Sequence, residues 1–223
     1  MHIPRNELKF YITTASARLL EERLGRVLQK DSHTASGNQY CIRSLYFDSP
    51  DSAAYLDKVN GIEKREKYRL RFYNFNTDYL RLEKKEKIGN NSVKIGAPLD
   101  QNGFSSLLSG FDPYGSHPLL GELAHRIRHE LYRPLLFVDY TRIAFLYPAG
   151  NVRITLDSEL FACPYRASLQ DTAGRIPVLE QKETILEVKY DFFLPPFIAA
   201  LLEDVPKVAC AISKYCKCYE ILS

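Results

Sequence analysis

The sequence predicts an α+β fold, a closed antiparallel β-barrel of about eight strands with helices packed on the outside. Three observations predict it. Tyr and Phe number 15 and 12, while Trp is absent and Met occurs once, a balance that suits strands. At least five segments alternate apolar and polar residues with period two, and long cations with sparse carboxylates fill their polar positions. The apolar sides are continuous enough to pack under helices. The charged sides must then share one space, which a barrel with a hydrated, basic interior provides.

The elements follow in order. Residues 5–12 set Arg5, Glu7, Lys9 and Tyr11 against Leu8, Phe10 and Ile12, a period-two strand. Residues 15–29 carry Leu19, Leu20, Leu24, Val27 and Leu28 at helical spacing, with Thr13 or Thr14 as cap. A strand over 39–47 and a short helix or turn over 52–59 come next. Residues 67–73 and 79–87 form a hairpin joined by 74–78, and 92–95 adds a short third strand. Residues 104–108 and 119–131 read as helical. A second hairpin pairs 135–147 with 152–160 and turns at 148–151. Residues 185–190 are a strand, 196–203 a short helix with proline at its start, and 212–221 a closing helix. Residues 89–91, 112–117 and 170–176 are loops inside one domain spanning 1–223, since no repeat or linker divides the chain.

Composition excludes several classes. Lys+Arg 30 against Asp+Glu 27 leaves a net charge of +3, so the chain is no nucleic-acid-type polycation, and an anion site must come from local concentration of charge. Hydrophobic residues at 45% and charged residues at 26% exclude disordered, collagenous and coiled-coil chains. No apolar run approaches the roughly 20 residues of a membrane span, and residues 1–9 lack a signal core. Cys41, Cys163, Cys210, Cys216 and Cys218 are odd in number and lack metal spacing, which reads as reduced thiols in a cytoplasmic protein. There is no P-loop, no G-x-G-x-x-G and no kinase-type H-R-D. His2, His33, His117, His125 and His129 form no metal motif, and no serine sits in a nucleophile elbow.

The strand faces carry the chemistry. Lys67, Arg69 and Arg71 alternate with Tyr68, Leu70 and Phe72. Arg81, Glu83, Lys85 and Lys87 share a face, as do Arg153, Thr155 and Asp157, and Glu187, Lys189 and Asp191. If Lys9, Lys67, Arg69, Arg71, Lys85, Arg142, Arg153 and Lys189 converge on one cavity, they repel one another without an anion. Arg forks match phosphate oxygens and Lys supplies point charge, so the set suits several phosphates in a row. Glu7, Glu83 and Glu187 are too few to neutralise it and are suited to holding one or two Mg²⁺ or Mn²⁺ ions against that chain. Phosphoryl transfer is mostly positioning and charge stabilisation, so such a cavity can catalyse it without a conventional nucleophile.

An ordered set of motifs now resembles a known family. R-N-E-L-K-F-Y-I at 5–12, S-L-Y-F-D at 44–48, K-Y-R-L-R-F-Y at 67–73 and R-L-E-K-K at 81–85 come first. Y-T-R-I-A-F at 140–145, V-R-I-T-L-D at 152–157, L-E-V-K-Y at 186–190 and I-S-K-Y at 212–215 follow. Together they resemble the VTC (vacuolar transporter chaperone) polyphosphate polymerase domain of the triphosphate tunnel metalloenzyme superfamily, relatives of the CYTH phosphatases and cyclases. The resemblance implies a tunnel-shaped barrel and transfer of the γ-phosphate of ATP onto a polyphosphate chain with Mn²⁺ or Mg²⁺. It implies phosphate-binding roles for Lys9, Arg69, Arg71, Lys85, Arg142, Arg153, Lys189 and Lys214, and a metal-binding role for Glu187. Lys94 becomes a further contact, and Tyr46 and Tyr55 take the tunnel mouth or the nucleotide side. Arg5 stands where CYTH relatives have the first glutamate of E-x-E-x-K, which favours the polymerase branch and leaves fewer metal ligands. No SPX domain or membrane segment accompanies the chain, which speaks against coupling to transport across a membrane; the partners that the resemblance implies are ATP and polyphosphate or triphosphate, with no nucleic acid. The alternatives are a tripolyphosphatase or nucleoside triphosphatase on the same fold, and a polyanion-binding module without turnover.

Overall fold

The computed structural model describes residues 5–31, 39–89, 91–113, 115 and 117–223; His2, His33, Asn90, Tyr114 and Ser116 lie outside the described residues. In chain order the elements are β1 (Arg5–Thr13), α1 (Thr14–Gly25), β2 (Gln29–Lys30), β3 (Tyr40–Asp48), α2 (Ala53–Val59), β4 (Lys64–Tyr73), β5 (Asn76–Ile88) and β6 (Asn91–Leu99). They continue with α3 (Gln101–Leu108), α4 (Pro118–His129), β7 (Arg133–Tyr147), β8 (Val152–Pro164), β9 (Ile176–Pro177), β10 (Glu183–Asp191), α5 (Pro196–Glu203), β11 (Val208–Ala209) and α6 (Lys214–Leu222). Eight of these strands run nine residues or more; β2, β9 and β11 have two each.

The chain forms two compact units. The first comprises Met1–Cys41, Tyr140–Leu160 and Pro177–Ser213. Its strands follow the order β11-β1-β10-β8-β7, with β1 antiparallel to β10 and β10 antiparallel to β8. The alternation buries Ile154, Leu156, Leu186 and Val188 against Leu20 and Leu24 of α1 and Ile198 and Leu202 of α5. Each such side chain taken from water is worth about 1.5–3 kcal/mol. The Thr13 hydroxyl caps α1 by accepting from the Ser16 N–H at 3.1 Å, a contact worth about 1 kcal/mol.

The second unit comprises Ile42–Asp139, Phe161–Ile176 and Lys214–Ser223, with strand order β7-β3-β4-β5-β6. Tyr68, Leu70 and Phe72 of β4 are fully buried against Phe104 and Leu107 of α3 and Leu119, Leu120 and Leu123 of α4. Strand alternation therefore turns Lys67, Arg69 and Arg71 to the face away from these helices, as the sequence predicts.

The structure corrects several boundaries. The first hairpin turns at Asn74 and Phe75, both with positive φ (50° and 56°), and β5 begins at Asn76; a two-residue turn of this kind matches strand twist better than a five-residue loop. Helix α1 stops at Gly25, and residues 29–30 pair with β7 instead. Residues 212–213 precede α6, and β6 reaches Leu99. The fold is α+β with a large antiparallel sheet. Among the described residues no ladder joins β6 to β11, so hydrogen bonds do not close the sheet into the expected barrel. Pro98 in β6 lacks an N–H and Lys94 is charged, both features of a strand left at an edge. No helix among the described residues is long and apolar enough to cross a membrane, and all five cysteines are free thiols.

Candidate functional site

In the second unit, three strands place nine side-chain positions on one face in three rows. Lys67, Lys85 and Lys94 are cross-strand neighbours; so are Arg69, Glu83 and Gly96, and then Arg71, Arg81 and Pro98. Six of the nine are cations and one is a carboxylate. Glu83 is almost fully buried, accepting from Arg69 Nε at 2.8 Å and Nη2 at 2.7 Å, with Arg71 at 3.8 Å and Lys94 in contact. Burial alone would raise its carboxyl, but Arg69, Arg71 and Lys94 outweigh that and hold it down at about 2. Arg69 also donates to the Tyr46 hydroxyl at 3.1 Å and Arg71 to the Ser44 hydroxyl at 3.3 Å, because β3 pairs Tyr46 with Arg69 and Ser44 with Arg71. Burial pushes the Tyr46 phenol up, and Arg69, Arg71 and Lys67 bring it below its ordinary value.

Helix α6 supplies the neighbouring wall. Tyr215 stacks on Tyr46 at 4.8 Å between centroids, and Tyr219 stacks on Tyr55 of α2 at 4.3 Å. The Lys67 ammonium lies 4.6 Å above the Tyr215 ring and 3.5 Å from the Cys216 sulfur. Burial holds that amine below its ordinary value. Tyr215 donates its hydroxyl to buried Asp48, which also accepts the N–H groups of Ser49 and Ala54. Lys214 is the first residue of α6, next to Tyr215.

In the first unit, β1 and β10 set Glu7 opposite Lys189 and Lys9 opposite Glu187, an alternating square. Lys9 lies 3.2 Å from Glu7 and 3.6 Å from Glu187, and donates to the Ile212 carbonyl at 3.3 Å. Lys189 lies 3.4 Å from Glu7 and contacts Glu187. Arg142 grips Asp157 with two hydrogen bonds of 2.6 and 2.7 Å; burial disfavours its charge, and Asp157 more than restores it. Arg153 donates to Asp31 at 2.6 Å and to Tyr40 at 3.3 Å. Beside Glu187 stands Thr155, whose buried hydroxyl has no hydrogen-bond partner among the described residues.

Each named cation of the first unit therefore meets a carboxylate, Asp31 and Asp157 included. Glu7, Glu83 and Glu187 are not the whole set, and the uneven charge lies on β4–β6. The opposite face of those strands differs. There Lys84, on the Tyr68 side, is matched by Glu66 at 2.9 Å and Glu122 at 2.6 Å. Sequence reading also missed Arg43 and Asp139, fully buried and 3.5 Å apart, with Arg175 at 3.3 Å from Asp139. Burial pushes the Asp139 carboxyl up to about 6 despite both arginines. The partners of Arg153 and Arg43 sit far away in sequence, and no local signal marks them, whereas Asp157 faces Arg142 within the predicted second hairpin. His125 and His129 stack on each other at 4.5 Å, and among the described residues no group of three or more His, Cys, Asp or Glu is placed to hold a metal alone.

Several solved structures resemble this chain. HpAC1 of Hippeastrum, for which a dominant triphosphatase activity is described, has a TM-score of 0.57 at 14% identity, covering 96% of this chain and 94% of its own. PH1819 of Pyrococcus horikoshii OT3 has a TM-score of 0.50 at 15% identity, over 97% and 99%. A chain of the Schizosaccharomyces pombe Mediator head module has 0.51 at 9% identity, over 92% and 100%. Likeness at such identities speaks for the fold alone. No curated protein matches. The VTC domain model matches residues 4–223. That match runs through both units and every strand of the site, and the chain belongs to the VTC domain family.

Proposed function

We propose that this chain is a polyphosphate polymerase, one domain over 1–223, which transfers the γ-phosphate of ATP onto a polyphosphate chain in a basic tunnel in the cytoplasm. The observation that carries the reading is the β4–β6 face, where six cations stand in three rows around Glu83. Such a face needs an anion, and rows of Arg and Lys suit rows of phosphates. Family membership supports the same class of substrate.

The first unit fits a divalent ion, Mn²⁺ or Mg²⁺. Glu7 and Glu187 offer two carboxylates, the orphaned Thr155 hydroxyl lies beside Glu187, and such ions take one or two carboxylates with substrate phosphates completing the shell. When bound, the ion neutralises charge on the reacting phosphates. Glu83, engaged by three cations, is better used orienting Arg69 and Arg71 than as a metal ligand. Lys9 and Lys189 then supply charge beside Glu187. Asp157 and Asp31 hold Arg142 and Arg153 in fixed directions, so their forks need no reorganisation when charge develops. Lys214, Lys67, Lys85 and Lys94 add phosphate contacts, and Tyr46 holds Arg69. No proton has to be removed from the acceptor, because a terminal phosphate oxygen is already a nucleophile.

Incubation with ATP and Mn²⁺, following ADP and long-chain product together, tests this. The expected result is ADP with chains, lowered about a hundredfold in Glu187→Gln while polyphosphate binding persists. Orthophosphate without chains would make the chain a triphosphatase, and tight polyphosphate binding without turnover would make it a binding module.

A further inference from the structure

Arg81 lies on the cation face of β5, and among the described residues it has no carboxylate or hydrogen-bond partner. Its side chain reaches over β6 at Gly96. A Cβ at position 96 would lie 2.7 Å from Arg81 Nε, 2.9 Å from Nη2 and 3.2 Å from Cζ. The missing side chain thus makes the seat in which the guanidinium rests. Gly96 is the cross-strand neighbour of Glu83, and Lys94 stands two residues away on the same face. The line of charge therefore runs from Arg69 on β4, past Glu83, to Arg81 above β6. Two strand spacings separate its ends, about 10 Å, more than the two P–O–P links of a triphosphate span.

We propose that Arg81, seated over Gly96, forms with Lys94 an outer subsite that holds phosphates of a chain beyond the three bound nearest Arg69 and Arg71. The inference rests on the phosphate-chain reading above and names the chain length the face prefers. A triphosphate occupies the inner cations alone. A longer chain crosses the sheet to β6 and gains a charge-assisted fork that a lone lysine does not replace.

The test is the ratio of affinities for medium-length polyphosphate and for tripolyphosphate, measured calorimetrically in metal-free buffer. Wild type prefers the longer chain. Arg81→Met lowers that ratio about tenfold, the usual worth of a charged hydrogen bond near solvent. Gly96→Ala lowers it in the same sense, because the new methyl displaces the guanidinium, the flexible end of a side chain, and a normal melting curve verifies its fold. In the Arg81→Met background Gly96→Ala has no further effect. An unchanged ratio in both single variants overturns the subsite while leaving the phosphate-chain reading intact. Wild type that binds neither probe overturns both.

Discussion

Replacing Asp157 by asparagine keeps the shape of the side chain and removes the charge that Arg142 grips. The Asp157 side chain is fully buried and that of Arg142 is 11% exposed, joined by two short hydrogen bonds. Removing one partner of a buried pair leaves the other charge without compensation, at about 3–5 kcal/mol. Asparagine still accepts one hydrogen bond, so the lower end, about 3 kcal/mol, is expected. For a chain of this size that corresponds to a fall in Tm of about 6–12 °C. Urea unfolding at pH 7, followed by circular dichroism, should show the midpoint moving with m unchanged. The double variant Arg142→Met with Asp157→Leu should recover most of the stability, because it removes both desolvation costs. Its phosphoryl transfer should stay low. Asp157→Asn within about 0.5 kcal/mol of wild type, the range of an ordinary surface change, would refute the claim that this pair is a buried anchor.

Two carboxyls should bend the pH profile of stability in opposite directions. Glu83, held at about 2 against an ordinary 4.5, contributes about 3 kcal/mol that is present above pH 4.5 and lost as pH falls toward 2. Asp139, raised to about 6 from 3.8, costs about 3 kcal/mol above pH 6, a cost relieved as pH falls from 6 toward 4. Denaturation midpoints across pH should therefore lose the acid-side fall in Glu83→Gln and the rise between pH 6 and 4 in Asp139→Asn; unchanged slopes would contradict these assignments. Lys214→Met should lower kcat by about ten- to a thousandfold, while Lys217→Met, three residues along α6, should leave it near wild type. Equal kinetics for the two would remove Lys214 from the site.

Much of this arrangement is readable from alternation alone. Strand period two separates Tyr68, Leu70 and Phe72 from Lys67, Arg69 and Arg71, and burial enforces it, because a one-residue slip would put three cations under α3 and α4. Charge balance was less legible. Arg153 finds Asp31, 122 residues away, and Arg43 meets Asp139 across the sheet; such pairs depend on strand order, which local pattern does not encode. The seat for Arg81 was hidden for another reason. Gly96 falls just past the strand expected over 92–95, and only the register with β5 shows that its missing side chain gives a guanidinium room. Closure of the sheet was expected from convergence of charge, yet Pro98 and Lys94 mark β6 as an edge in hydrogen bonding.

The central claim, that the cation face is built for a chain of phosphates, is tested most directly by thermal unfolding with polyphosphate and with sulfate at matched ionic strength. Polyphosphate should raise Tm progressively with concentration, reaching about 2.7 kcal/mol of stabilisation at a hundred times its Kd. Sulfate should do much less, and Arg69→Met with Arg71→Met should abolish the difference. Equal shifts from polyphosphate and sulfate in the wild-type protein would mean ordinary salt screening and would contradict the account.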